Sequence, residues 1–445
     1  MKKIFFVLFL LIATPAHAMP VEEITSPGGL SIWYVEDKTT PSLTFSFAFK
    51  GGSELDPADK QGLAALMAGM LTEGAGPYGS SEFSLLLVDN NISLSFSGGR
   101  DQITGDLRFL LSHADRAVEL TKLALTKPHF AAADLKRQQA GLLATLNRGR
   151  VDPDWQATRL LFQNVYGGTP YAQSSRGTPE TIPAITADDL KKAMTDKIVK
   201  ARLIIVAVGA VPASDVGHIA DRIFGDLPQG TEAPATTIEL QHAGQTWFSP
   251  WPAAPQAVVQ MALPGVGPTD PDYPAAMILN DIVGGGGFRS RLMKELRQKL
   301  GATYGIYTSP LQLQAAPILY GQGSVDLTQL EAALSLVQTT VATAADGVID
   351  PAELTASKTY LAGAFARDLT SSSAIADFIL AARLYGLPHN YYDTYPALIQ
   401  NVSENDLKRV AKRLFDPAQM RFAIVAPQPP AKIDKTVGDL WAVAP

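Results

Sequence analysis

Residues 42–49 (SLTFSFAF) alternate apolar and polar positions, and residues 257–263 (AVVQMAL) form a second short apolar run. Both read as strands. Each runs into a turn containing glycine and aspartate, residues 51–56 and 265–270, and each turn opens into helical periodicity, around 62–71 and 273–283. A helix pair follows in each half: 113–125 with 131–146, then 327–344 with 351–366. Each half then closes with a helix and a strand, 187–196 then 202–208, and 404–414 then 421–425. The chain therefore reads as two copies of one plan. Strands with helices grouped between them predict an α+β fold, with a sheet covered by helices on one face.

The segment 284–307 (GGGGFRSRLMKELRQKLGATYGIY) stands apart. Its glycine run lets backbone approach another chain or a ligand closely, since no Cβ intervenes. Leu292, Met293, Leu296 and Leu300 then form one apolar stripe of a helix, with Lys294, Glu295, Arg297 and Lys299 between them. Gly301 stands where a helix-ending glycine belongs. Residues 302–307 alternate like a half-buried strand. Arg297 is thus expected at a helix end and Tyr304 at the start of a strand folding back beside it. Taken singly, such an Arg serves the helix dipole and such a Tyr packs; their joint spacing after the glycine run raises the functional reading.

Composition narrows the classes. Residues 2–3 are lysines, residues 4–13 are apolar, and Ala16-His17-Ala18 has the small-x-small form of a cleavage site. An apolar run this short suits a removed export signal over residues 1–18 and not a membrane span. The expected address is the periplasm. The net charge is −6 with Lys2 and Lys3 included, which argues against nucleic acid as a partner. The chain has no cysteine, excluding thiolate metal sites, disulfides and a cysteine-linked lipid anchor. Residues 228–244 are rich in Pro, Gly and Thr, so the expected organisation is a domain over 19–228, a linker over 229–244 and a domain over 245–445.

The Gly-Gly-Gly-Phe-x-Ser-Arg-Leu stretch, the Glu-Leu-Arg after it and the Tyr seven residues beyond that Arg resemble the second half of pitrilysin- and insulysin-type zinc peptidases. These are the inverzincins, with which the mitochondrial processing peptidase belongs, and the resemblance extends over nearly the whole chain after residue 18. It implies a tandem repeat of two homologous α+β domains, processing-peptidase-like, each a mainly antiparallel sheet covered by helices. It also implies that Arg297 and Tyr304 face a zinc across a chamber and hold substrate backbone, with Gly286 and Gly287 lining the substrate path.

The first half departs from that family. There, His-x-x-Glu-His on the first helix supplies two ligands on one face and a base, and a distal Glu completes the set. Here the text is GLAALMAGM. Matching its frame puts Ala65 and Gly69 at the two His positions, Ala68 at the Glu and Thr145 at the distal Glu. None can serve in those roles, so no metal is expected in this chain. No two of His113, His129, His218, His242 and His389 share helical spacing, and each reads as a solvated or hydrogen-bonded histidine. Glu73, Asp56 and Asp59 read as surface carboxylates near turns. No nucleophile elbow is present, and the glycine run does not continue as a phosphate loop.

The family builds chambers from four such domains, and this chain supplies two. The resemblance therefore implies a non-catalytic subunit of a periplasmic, heterodimeric zinc metalloendopeptidase. Its partner would be a homologous chain with intact His-x-x-Glu-His and the zinc, and its substrate a peptide. The other class that the sequence leaves open is a catalytically silent structural, assembly or peptide-binding homologue.

Overall fold

The computed structural model describes residues 20–440 apart from 368 and 370, so the export signal assigned to 1–18 lies outside the described residues. Strands β1 (Glu22–Thr25), β2 (Ser31–Glu36), β3 (Ser42–Lys50), β4 (Ser93–Gly98), β5 (Gln102–Leu110) and β6 (Leu203–Gly209) make one six-stranded sheet, ordered β1-β2-β6-β3-β5-β4. Strands β7 (Thr246–Pro250), β8 (Ala257–Pro264), β9 (Ile306–Leu311), β10 (Ile318–Val325), β11 (Arg421–Ala426) and β12 (Lys435–Thr436) make another, ordered β12-β7-β11-β8-β10-β9. Both have one inner plan. A long strand, β3 or β8, lies antiparallel between a hairpin and the closing strand, β6 or β11, which pairs in parallel with β2 or β7.

The first half carries helices α1 (Leu63–Met70), α2 (Ser80–Asp89), α3 (Ala114–Thr126), α4 (Ala132–Arg150), α5 (Pro153–Tyr166), α6 (Thr181–Ala184), α7 (Ala187–Lys197) and α8 (Ala213–Phe224). The second carries α9 (Tyr273–Asn280), α10 (Leu330–Ala345), α11 (Pro351–Arg367), α12 (Ser372–Leu384), α13 (Tyr391–Asn401) and α14 (Glu404–Leu414). The closing helices start alike. Thr186 and Asp189 form a capping box at α7, and Ser403 and Asp406 form one at α14. Each box satisfies amides that a helix start leaves orphaned. The tandem α+β architecture expected from the sequence is the one observed.

The covering of the sheets differs from the expectation of one helical face. Along β3, Leu43, Phe45, Phe47 and Phe49 face a core shared with α1, α3, α7 and α8. The opposite face is buried as well: Ala48, Trp33, Val35, Val206 and Val208 join the core of the second half. The cover there is α12, whose Arg383 donates to the carbonyls of Ser31 (3.1 Å) and Ile205 (2.5 Å). The exchange is mutual. Helix α5 lies on the second sheet, with Leu160, Leu161 and Val165 packed among Trp247, Ala262 and Ala423. Burial of each such side chain contributes about 1.5–3 kcal/mol. Gln260, mid-way along β8, donates to the Asp154 carbonyl (3.1 Å) and the Thr158 hydroxyl (2.9 Å) of α5. Each half thus lends a helix to the other.

Two local expectations need correcting. The strand expected over 302–307 begins only at Ile306, so Tyr304 lies in the connection before it. Asp56 is not a surface carboxylate: it is buried, accepts the Ala64 amide at the start of α1 (3.1 Å) and pairs with buried Lys197 (3.2 Å). Burial raises its pKa, opposed chiefly by Lys197. Glu73 is likewise engaged, accepting from Gln138 (2.6 Å), Ser80 (2.5 Å) and Arg137.

Candidate functional site

Helix α1 begins at Gly62, whose φ of +90° suits a residue without a Cβ. It packs closely on β4, since a Cβ on Gly98 would stand 2.6 Å from the Ala64 carbonyl carbon and the Ala65 Cα. Ala65 and Gly69, one turn apart, are half-buried on one face, while Ala68 is only 1% exposed. Across from Gly69 comes Gln138 of α4, its Oε1 3.6 Å from where a Cβ would be. The Thr145 hydroxyl donates to the Gly141 carbonyl (3.1 Å) and accepts from Arg148 (2.9 Å). A zinc ion does not fit this donor set. Methyl groups, bare backbone and an engaged hydroxyl stand where ligands would be required. Among the described residues, no group of three or more His, Asp or Glu side chains is placed to hold a metal.

In the second half, α9 widens into a π-type turn over Asp281–Gly285. The glycines are needed by the fold itself. A Cβ on Gly284 would come within 2.4 Å of the Thr308 hydroxyl, and one on Gly286 within 2.5 Å of the Asp281 carbonyl. Gly287 has φ +59° and open space beside it. Buried Asp281 accepts from Arg289 (2.5 Å), whose guanidinium also lies 4.4 Å from the Tyr360 ring centre. Nothing in the sequence signalled that clasp, because the irregular glycine-rich turn between Asp281 and Arg289 brings the two together, not a regular helix or strand.

The next helix ends in a second widened stretch, Met293–Lys299, burying Met293 and Leu296. Arg297 is exposed on its last turn, its guanidinium 4.6 Å from the ring centre of Phe288, itself 64% exposed. Gly301, at φ +66°, reverses the chain, and the Ala302 amide donates back to the Leu296 carbonyl (3.0 Å). Thr303 is fixed by its hydroxyl, which donates to the Ser324 carbonyl (2.5 Å) and accepts from the Gly305 amide (2.9 Å). Tyr304 stands between these anchors and is 84% exposed. A firmly held backbone thus presents an aromatic hydroxyl to solvent, just past the helix end that presents Arg297.

These features define a class: a tandem α+β chain with no peptidase metal site among the described residues. Residues 184–361 match the Peptidase M16 inactive domain. The resemblance to the pitrilysin- and insulysin-type M16 peptidases read from the sequence is borne out by this match, which is to that family's inactive domain. It is 27% identical to the "Non-peptidase homolog YmxG" of Helicobacter pylori, over 96% of this chain and 99% of that protein. It is 24% identical to "Cytochrome b-c1 complex subunit 1, mitochondrial" of Caenorhabditis elegans, over 66% of this chain and 63% of that one. The crystal structure of a peptidase M16 inactive domain from Pseudomonas fluorescens superposes with a TM-score of 0.86 at 26% identity, covering 93% of this chain and 99% of that one. No described helix is long and apolar enough to cross a membrane.

Proposed function

We propose that this chain is the non-catalytic subunit of a periplasmic, heterodimeric zinc metalloendopeptidase. A homologous partner with intact His-x-x-Glu-His would carry the zinc. The observation that carries this reading is the presentation of Tyr304 and Arg297: both are exposed, yet both sit on backbone fixed by Gly301, Ala302 and Thr303. A scaffold gains nothing from such an arrangement. In the assembled chamber, Arg297 donates to a substrate carbonyl, and the Tyr304 hydroxyl donates to the oxyanion that develops as the peptide carbonyl is attacked. Gly287, with open space beside it, leaves room for the substrate strand.

The likeness to a cytochrome b-c1 complex subunit favours a second reading, in which the chain serves assembly alone. One experiment separates the two. The chain is co-expressed with an inverted-motif homologue from the same genome, the pair is purified by a tag on one member, and peptide cleavage is measured. The proposal expects a stable pair that cleaves, with neither member active alone. Failure to associate, or full activity from the zinc-bearing homologue by itself, would leave the assembly role.

A further inference from the structure

Five cations lie close together on the segment that presents Arg297: Arg289, Arg291, Lys294, Arg297 itself and Lys299. Four of them are paired with carboxylates. Arg289 meets Asp281 (2.5 Å), Arg291 and Lys294 share Glu353 (2.7 and 3.8 Å), and Lys299 meets Glu295 (2.5 Å). Arg297 is the exception. Among the described residues no carboxylate lies within ion-pairing distance of it, and its contact is the Phe288 ring, 4.6 Å from the guanidinium carbon.

The two kinds of partner act differently. A carboxylate holds a guanidinium by accepting its N–H groups, and so occupies the donors that a substrate carbonyl would need. An aromatic face attracts the cation through its quadrupole and offers no lone pair to those donors. Phe288 has no core role to explain its place, since it is 64% exposed. The glycine run holds it there. Gly287, at φ +59°, opens the short helical turn Gly287–Arg289. That turn is anchored by buried Ser290, whose hydroxyl donates to the Gly287 carbonyl (2.9 Å), and by the pairing of Arg289 with Asp281. A long side chain on an exposed helix end otherwise samples many rotamers, and binding a carbonyl then costs the ordering of the whole side chain.

We propose that Phe288 is the positioning residue for Arg297: its ring fixes the guanidinium before substrate arrives and leaves the N–H donors free for the substrate carbonyl. The inference rests on the reading of Arg297 as a substrate-binding group. The glycine run then has a second task, which is to present one ring at one place beside the helix end.

Two measurements test it. In the isolated chain, NMR relaxation of the Arg297 Nε–H group should report an ordered side chain. It should become mobile in Phe288→Leu, which keeps apolar bulk but lacks the ring, and stay ordered in Phe288→Trp, whose indole is the stronger cation partner. Melting temperatures should match the wild type, because the residue is exposed. In the reconstituted heterodimer, Phe288→Leu should lower kcat/KM by roughly two- to fivefold, the worth of an exposed cation–π contact, chiefly through KM. Phe288→Trp should restore it. Added to Arg297→Ala, Phe288→Leu should cause no further loss. Equal Arg297 mobility in the wild type and Phe288→Leu would overturn the proposal. So would a Phe288→Leu loss that persists undiminished without Arg297, which would make Phe288 an apolar contact of substrate or partner in its own right. If the ring orders Arg297 but Arg297→Ala turns over like the wild type, the substrate role of Arg297 falls, and this proposal with it.

Discussion

The Arg383 guanidinium of α12 donates to the Ile205 carbonyl at 2.5 Å, joining a helix of the second half to the closing strand of the first. The same group reaches the Ser31 carbonyl and hydroxyl and lies 5.4 Å from the Trp33 ring centre. Desolvation lowers its pKa, yet the side chain is retained among strand carbonyls. Hydrogen bonds from a charged donor contribute about 1.5–3 kcal/mol. Arg383→Met should therefore lower unfolding stability by about 2–3 kcal/mol, read as a reduced urea midpoint with an unchanged slope. An unaltered midpoint would show the contact to be idle.

Tyr304→Phe removes one exposed hydroxyl and no packing. In the reconstituted heterodimer it should slow turnover by about 10²–10³ while the melting curve stays put. Arg297→Ala should weaken substrate binding too, because the carbonyl contact is lost in the ground state as well. Steady-state kinetics on both variants decide the matter; wild-type rates would make this chain a scaffold.

The isolated chain should bind no stoichiometric zinc and cleave no peptide. Because α1 keeps its frame, Ala65→His with Gly69→His should place two imidazoles one turn apart, and adding Thr145→Glu at the distal position should let the chain acquire one zinc ion. Elemental analysis after gel filtration measures both. Zinc already present in the wild-type chain would mean that ligands lie elsewhere than on α1 and α4.

Glu54 lies near Asp101, and burial pushes its pKa up from 4.5 to about 7. A raised carboxyl favours the folded state fully only below its unfolded value, and that contribution is lost as pH rises through about 7. Glu54→Gln should therefore melt like the wild type near pH 4 and several degrees higher near pH 8. Thermal melts at both values check the sign; a gap that opened in acid instead would refute it.

Much of this structure was legible from pattern. The closing helices over 187–196 and 404–414 and the long strands β3 and β8 are local signals. What escaped depended on distant partners. Helix α5 opens on an Asp152 cap and Pro153, a signal visible in the text, yet its burial on the second sheet is set by residues such as Gln260 and Phe422. Asp56 reads as a turn carboxylate until Lys197 is brought beside it. Tyr304 reads as strand because its neighbours are β-branched and aromatic, but the Thr303 hydroxyl claims the local backbone and delays the ladder to Ile306.

The reciprocal loan of α5 and α12 has a bearing on how the chain responds to being cut. Residues 229–244 contain no helix or strand, and their exposed start, 229–232, offers a protease a target. A nick there would sever the only covalent path between the halves yet release neither fragment, since each would still be clasped by the other's helix. Expressed alone, either half would present the bare sheet face that its absent counterpart normally seals, and would aggregate. Mixed while unfolded, the two fragments should refold as a single body, so the linker serves to set their local concentration and not to hold the finished molecule together.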